Sequence, residues 1–145
     1  MATFSVKLST LIQKFNLEAV NMPQNPEELL ITTPDINRPG LYLAGHHDFF
    51  DAGRIQFIGN LEYSYLQDCT EEFREKSLFR FFKAKPAEVV FTRGLEIFPA
   101  AIEAAKEYQV PLLRTREATS AFMSGLISYL NVELAPRITR HGVLV

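Results

Sequence analysis

The chain has 145 residues, with 15 lysines and arginines against 17 aspartates and glutamates, and 47% of its residues are hydrophobic. This length corresponds to about one domain, which can bury roughly two-thirds of the surface that the unfolded chain exposes. The balanced composition excludes the collagen-like, disordered and disulfide-scaffold classes. A net charge of −2 gives no electrostatic basis for bulk nucleic-acid binding, so we expect no nucleic-acid partner.

The single cysteine, Cys69, cannot form an internal disulfide or a multi-cysteine metal site, which favours a reducing compartment. The sequence begins without a signal-peptide pattern, and it contains no run of about 18 apolar residues. We therefore expect a soluble cytoplasmic protein that does not engage a membrane.

In the first half of the chain, helices and strands alternate with turn-rich segments. Four apolar residues at helical spacing predict a short helix, namely Leu8, Leu11, Ile12 and Phe15. A short strand is expected at residues 17–20, a second apolar stretch at 29–32 and a loop of defined shape at 33–40. Residues 54–59 then read as a strand ended by glycine. Asn60 is expected to cap a helix that runs to residue 66, and Thr70 to cap another that reaches residue 83.

In the second half of the chain, predicted strands and helices alternate regularly. Residues 87–92 read as a strand, 99–108 as an alanine-rich helix with a proline near its start, and 110–114 as the next strand. Strand, helix and strand with short connections predict a parallel pair joined by a right-handed crossover. Thr115 or Thr119 leads into a further helix that ends near Pro136, and a last strand is expected at 138–145. The whole reads as one α/β domain.

The motifs that bind nucleotide phosphates through a glycine-rich loop are absent. The sequence contains neither GxxxxGK(S/T) nor GxGxxG. Thr92, Arg93 and Gly94 come nearest, because they follow a strand and precede a helix, where ligands of α/β sheets bind. Arg93 could hold an anion and Gly94 could allow close backbone approach. The alternative is that Gly94 only supplies a positive φ and that Arg93 is a solvated side chain.

Other candidate groups also have ordinary interpretations. His46 and His47 are adjacent, so their side chains point apart, and no second cluster completes a metal site; we predict no metal here. Cys69 has no neighbouring base, and the acidic residues that follow Thr70 complement a helix N-terminus. His141, beside arginines and followed by a glycine, is either a phosphate neighbour or a structural residue.

Four strings in order carry a family resemblance: ITTPDINRPGL at 31–41, VFTRGLE at 90–96, VPLLRT at 110–115, and LAP at 134–136 followed by HGVLV at 141–145. In the order and spacing of these strings, nearly the whole chain resembles the N-terminal half of HPr kinase/phosphorylase. That family contains bacterial, chiefly Gram-positive, bifunctional enzymes. They phosphorylate a serine of the phosphocarrier HPr with ATP or pyrophosphate and remove the phosphate by phosphorolysis, in carbon catabolite repression.

The resemblance implies a three-layer α/β fold with flanking helices, βαβ units and a mixed or mostly parallel sheet, similar to the N-terminal domain of the Mur ligases. It implies a homohexameric parent enzyme that uses Mg²⁺ with ATP or pyrophosphate and acts on HPr through a C-terminal kinase domain. No cofactor is expected in the present chain.

The resemblance also implies a division of the chain. Residues 1–136 would form the N-terminal domain, and 137–145 the first strand of a kinase domain whose P-loop lies just downstream. His141 would correspond to the active-site histidine of the family. We expect the chain alone to be inactive, and its segment from Ile138 onward to be disordered or paired with a neighbouring chain.

Two other functions remain open. The domain could be a regulatory or assembly module that binds a small anion or a neighbouring subunit through the loop at 35–40 and through residues 92–94. Arg38, Arg93 and Gly94 would then be the ligand-binding residues. It could also be a stand-alone ligand-binding or oligomerisation module with no kinase partner.

Overall fold

The structure is a computed structural model, and it describes residues 4–45 and 51–135. Short strands and helices alternate along this part of the chain. The strands are β1 (Val6–Lys7), β2 (Glu18–Asn21), β3 (Leu30–Ile31), β4 (Ile36–Asn37), β5 (Ile55–Ile58), β6 (Glu88–Phe91) and β7 (Leu112–Arg114). The helices are α1 (Leu8–Phe15), α2 (Gly40–Leu43), α3 (Asn60–Asp68), α4 (Glu71–Lys83), α5 (Pro99–Tyr108) and α6 (Thr119–Leu134).

Five strands form the central sheet in the order β2-β7-β6-β5-β4. Strands β4, β5, β6 and β7 run parallel, and β2 closes one edge antiparallel to β7. Strands β1 and β3 form a separate antiparallel pair. The βαβ unit expected in the second half of the chain is confirmed, since β6, α5 and β7 form it.

The two faces of the sheet bury two apolar clusters. Along β6, Val89 and Phe91 point into a cluster shared with α4 and α5, whereas Val90 points into a cluster shared with α1 and α6. All four β6 residues are buried, as is typical of a strand covered on both faces. The molecule therefore has the layered α/β architecture, with a mostly parallel sheet and flanking helices, that the sequence predicted.

The predicted starts of α4 and α5 are confirmed, whereas that of α3 is not. The Thr70 hydroxyl accepts the Phe73 N–H at 3.1 Å and caps α4 as predicted, and Pro99 opens α5. The predicted cap of α3 was wrong by one residue. Gly59 occupies the N-cap position, because the Glu62 carboxylate reaches back to its N–H, and Asn60 already lies within the helix.

Residues 33–40 are more ordered than the predicted loop. Ile36 and Asn37 pair with Ile55 and Gln56 as β4, and α2 begins at Gly40. A two-residue strand is too short to produce a hydrophobic period, so only its pairing with β5 reveals it. The strand expected at 138–145, and the expectation about the segment from Ile138 onward, lie outside the described residues.

Candidate functional site

Arg38 and Glu62 hold the carboxyl ends of β4 and β5 together. The Arg38 guanidinium donates from Nε to Oε2 at 3.0 Å and from Nη2 to Oε1 at 2.8 Å, and the Gly59 N–H donates to the same Oε1 at 3.0 Å. The Glu62 side chain is 1% exposed and that of Arg38 is 37% exposed. Two of the three guanidinium nitrogens of Arg38 thus serve an internal carboxylate, and ligand binding by Arg38 stays a prediction.

Two threonines are in contact at the carboxyl end of β6, the strand next to β5. The hydroxyls of Thr92, which follows β6, and Thr119, the first residue of α6, lie 2.6 Å apart in the buried interior. Gly59 packs so closely on Thr119 that a Cβ at this position would overlap its hydroxyl oxygen. The ends of β5, β6 and the start of α6 are therefore packed together without space for a ligand.

Arg93 and Gly94 form a left-handed turn directly after Thr92. Their φ angles are 61° and 64°, so the positive φ considered for Gly94 is confirmed. The Arg93 N–H donates to the Glu117 carbonyl and the Gly94 N–H to the Thr115 carbonyl, both at 2.8 Å. These backbone donors are therefore unavailable to a phosphate. The Arg93 side chain is exposed and forms no ion pair with any described residue.

A groove of about 460 Å³ lies beside this turn, between the α1–β2 connection and the loop that joins β7 to α6. Residues 15–18 form one wall and residues 114–117 the other. Arg114 crosses it to Glu18, donating from Nε at 3.1 Å and from Nη2 at 2.9 Å to the carboxylate oxygen Oε1. Sequence analysis did not find Arg114, Arg116 or Glu18, because the two walls are about a hundred residues apart in the chain.

A second, smaller groove of about 310 Å³ adjoins the Arg38–Glu62 pair. Gly40, Leu61 and Tyr65 complete its lining, and Leu61 is 74% exposed. The exposed Leu61 and the ring of Tyr65 thus give this groove apolar surface beside an internal ion pair.

At the opposite end of the sheet, Glu88 is a buried carboxyl group. It is the first residue of β6, and its Oε1 atom has no hydrogen-bond partner among the described residues. Burial raises the pKa of Glu88 to about 7, and no charged group among the described residues opposes this. Glutamate at the start of an apolar strand gave no signal in the sequence, because strand ends are commonly polar.

Several sequence candidates are not brought together. His46, His47 and His141 lie outside the described residues. The thiol of Cys69 donates to the Tyr65 carbonyl at 3.2 Å. Among residues 4–45 and 51–135, no three histidine, cysteine, aspartate or glutamate side chains could share a metal ion. No helix in the same ranges is long and apolar enough to cross a membrane.

Comparison with known proteins identifies the family. The sequence profile of the family described as HPr Serine kinase N terminus matches residues 6–130. The chain belongs to this HPr serine kinase N-terminal family. It is 42% identical to HPr kinase/phosphorylase from Lachnoclostridium phytofermentans over 142 residues, which are 98% of this chain and 46% of that protein. The corresponding enzyme from Caldicellulosiruptor bescii is 41% identical with the same coverage.

HPr kinase/phosphorylase from Streptococcus gordonii is 39% identical. The matched region takes in 97% of this chain and 45% of that protein. The chain thus spans about half the length of these relatives. Its fold is also similar to the CBS and DRTGG domains of the regulatory region of Clostridium perfringens pyrophosphatase, a structure complexed with the activator diadenosine tetraphosphate. The TM-score is 0.57 at 16% identity, covering 83% of this chain and 45% of that one.

Proposed function

We propose that the chain is the N-terminal domain of a bifunctional HPr kinase/phosphorylase. The parent enzyme phosphorylates a serine of HPr with ATP or pyrophosphate and removes the same phosphate by phosphorolysis. Both reactions serve carbon catabolite repression. The observation that carries this proposal is the coverage. The match takes in 98% of this chain but only 46% of a relative that bears the kinase name.

The residues of this chain do not fit a magnesium–nucleotide centre. The sequence has no P-loop string, and the described residues hold no cluster of three groups that could bind a metal ion. The N–H groups of Arg93 and Gly94 already donate to carbonyl groups. We therefore assign Mg²⁺, ATP or pyrophosphate, and the contact with HPr, to the half of the parent enzyme that this chain lacks, and we derive no catalytic step from the present residues.

In this proposal residues 1–136 are the N-terminal domain and 137–145 begin the kinase domain. His141 is the one residue of this chain that we assign to the catalytic site, close to the reacting phosphate. The domain itself is a regulatory and assembly module of a cytoplasmic homohexamer. The exposed Leu61 and the exposed Arg93 supply surfaces for that role.

The test is phosphorylation of HPr. The 145-residue chain, mixed with HPr, Mg²⁺ and ATP or pyrophosphate, is expected to form no phosphoserine, because phosphoryl transfer needs a positioned phosphate and charge stabilisation that the chain lacks. The parent enzyme, extended by its native downstream sequence, is expected to phosphorylate HPr under the same conditions. Phosphoserine formed by the chain alone at the rate of the parent would contradict the proposal, as would an inactive parent.

The alternative function is a stand-alone ligand-binding or oligomerisation module. It is favoured by the compact βαβ fold, which needs no kinase half to bury its two clusters. Reading the gene beyond Val145 separates the two. A P-loop within the next few tens of residues supports the kinase, and a stop codon there supports the stand-alone module.

A further inference from the structure

The groove between residues 15–18 and 114–117 lies beside the point where the connections that follow β6 and β7 diverge. The connection after β6 leads to α5 on one face of the sheet, and the connection after β7 leads to α6 on the other. Ligands of α/β proteins bind outside the carboxyl ends of strands at such points. Here the crevice between the two connections is closed by the hydrogen bonds from Arg93 and Gly94 to the loop after β7. The open space therefore lies on the other side of that loop, against the α1–β2 connection.

Two arginines and two glutamates line the groove, and they form one ion pair. Glu117 is an exposed carboxylate that forms no ion pair with any described residue. Arg114 is neutralised by Glu18. Arg116, which lines the groove, and Arg93, in the adjoining turn, are exposed and have no carboxylate within ion-pair distance among the described residues. A Cβ built on Gly94 would lie 3.8 Å from the Cγ of Arg116, so the two loops touch. Arg116 and Arg93 together outweigh Glu117 by one positive charge, and their forked donors can hold an anion beside the groove.

The other wall of the groove is partly apolar. Phe15 and Leu17 are half-buried and line it together with Asn16. The volume of about 460 Å³ falls within the range of sites for small organic ligands. We propose that this groove binds a small organic anion, whose carboxylate or phosphate group is held by Arg116 and whose apolar part packs on Phe15 and Leu17. Arg93 adds positive potential at the site, and the proposal deepens the regulatory role proposed above.

The test is an NMR titration of the ¹⁵N-labelled 145-residue chain with phenyl phosphate, benzoate and phenol, which share one ring and differ in charge. Saturable shifts are expected in residues 15–18 and 114–117 with phenyl phosphate, benzoate or both. Phenol is expected to bind at least tenfold more weakly, since guanidinium hydrogen bonds to an anion contribute about that factor. Comparison of the dissociation constants of phenyl phosphate and benzoate shows whether the site prefers phosphate or carboxylate.

Arg116→Ala is expected to weaken anion binding about tenfold, and Arg116→Lys to weaken it less, because the charge remains without the forked donors. The matched control is Arg80→Ala, an exposed arginine on α4, which should bind like wild type. The proposal is overturned if neither anion gives saturable shifts in the groove, if phenol binds as well, or if Arg116→Ala has no effect. The chain alone is tested, so these outcomes are independent of whether the parent is a kinase.

Discussion

At the scale of single residues, the structure separates charged groups that sequence analysis had treated alike. Arg38 and Arg93 both follow parallel strands, but Arg38 is paired with the buried Glu62 and Arg93 has no carboxylate partner among the described residues. Removing Arg38 would leave a buried carboxylate with one backbone donor, a change that destabilises proteins. Glu88 is a third case, a buried carboxyl group with an unsatisfied oxygen.

Glu88 is expected to make the folded chain more stable at acidic than at alkaline pH. Its pKa is about 7 in the folded state against an ordinary 4.5, so the folded state binds the proton more tightly than the unfolded state. The stability that this group contributes is complete below about pH 4.5 and is lost as the pH rises through 7. Urea unfolding between pH 5 and 8 measures it.

Glu88→Gln replaces the carboxyl group by a neutral amide of similar shape. The free energy of unfolding of this variant, relative to wild type, is expected to rise by on the order of 3 kcal/mol between pH 5 and 8, because only wild type must then bury a charge. Glu103→Gln, an exposed change on α5, is the matched control. Equal pH profiles for wild type and Glu88→Gln would show that folding does not raise the pKa of Glu88.

At the scale of elements, the start of α6 is fixed by its contact with the end of β5. Gly59 and Thr119 meet there, and Thr119 shares its hydroxyl contact with Thr92 at the end of β6. No side chain caps α6, since Ala118 occupies its N-cap position. The helix is therefore positioned by packing and by this hydroxyl pair.

Gly59→Ala is expected to destabilise the fold by about 1–3 kcal/mol, the usual cost of overpacking a filled site. The added methyl group would overlap the Thr119 side chain. Thr119→Ala in the same molecule removes both Thr119 atoms that the methyl group meets, so the two changes together should cost less than their sum. Chemical denaturation of the two single variants and the double variant measures this.

Gly125→Ala is the matched control for these variants. Gly125 is exposed on α6, and an added Cβ there would lie at an ordinary contact distance of 3.7 Å from the Phe15 ring. It should be neutral or stabilise the helix by about 0.5–1 kcal/mol. Strict additivity of Gly59→Ala and Thr119→Ala would mean that the two residues do not constrain each other.

At the scale of the whole molecule, one thin sheet couples two apolar clusters. Leu112 and Leu113 are neighbours on β7 and both are fully buried, yet they belong to clusters on opposite faces. Neither layer of helices can lose its packing without exposing the shared strands. The described part of the chain should therefore unfold as one cooperative unit.

Leu112→Ala and Leu113→Ala are each expected to lower the free energy of unfolding by about 2–5 kcal/mol, as buried leucines do. Both should shift a single transition in which circular dichroism and tyrosine fluorescence coincide. Leu61→Ala is the exposed control and should change stability by less than about 0.5 kcal/mol. Two separated transitions in Leu113→Ala would show that the two helical layers unfold independently.

The sequence was most informative where a hydrophobic repeat extends over several turns or where a particular residue type marks the start of a helix. The helix at 99–108 was predicted with its observed bounds, because Pro99 opens it and its alanines repeat at helical spacing. The pairing of β4 with β5 and the position of α2 were missed, since two-residue and four-residue elements carry no measurable period. Of the candidate site residues, Gly94 has the positive φ that was the alternative to a ligand-binding role, and that role stays a prediction. The groove at Arg116 was not foreseen.

The sequence by itself determined the fold class and the parallel βαβ unit, because these depend on residue order and local hydrophobic spacing. Its four ordered motifs carried the resemblance that indicated the family. Only the tertiary structure decided which arginine is neutralised, which N–H groups remain available and where a cavity opens. Arg114 meets Glu18, and Arg93 meets the carbonyl of Glu117, only when β2 and the loop after β7 are folded against their neighbours. Ion pairing and hydrogen bonding act over a few ångströms in space, and separation along the chain does not reveal them.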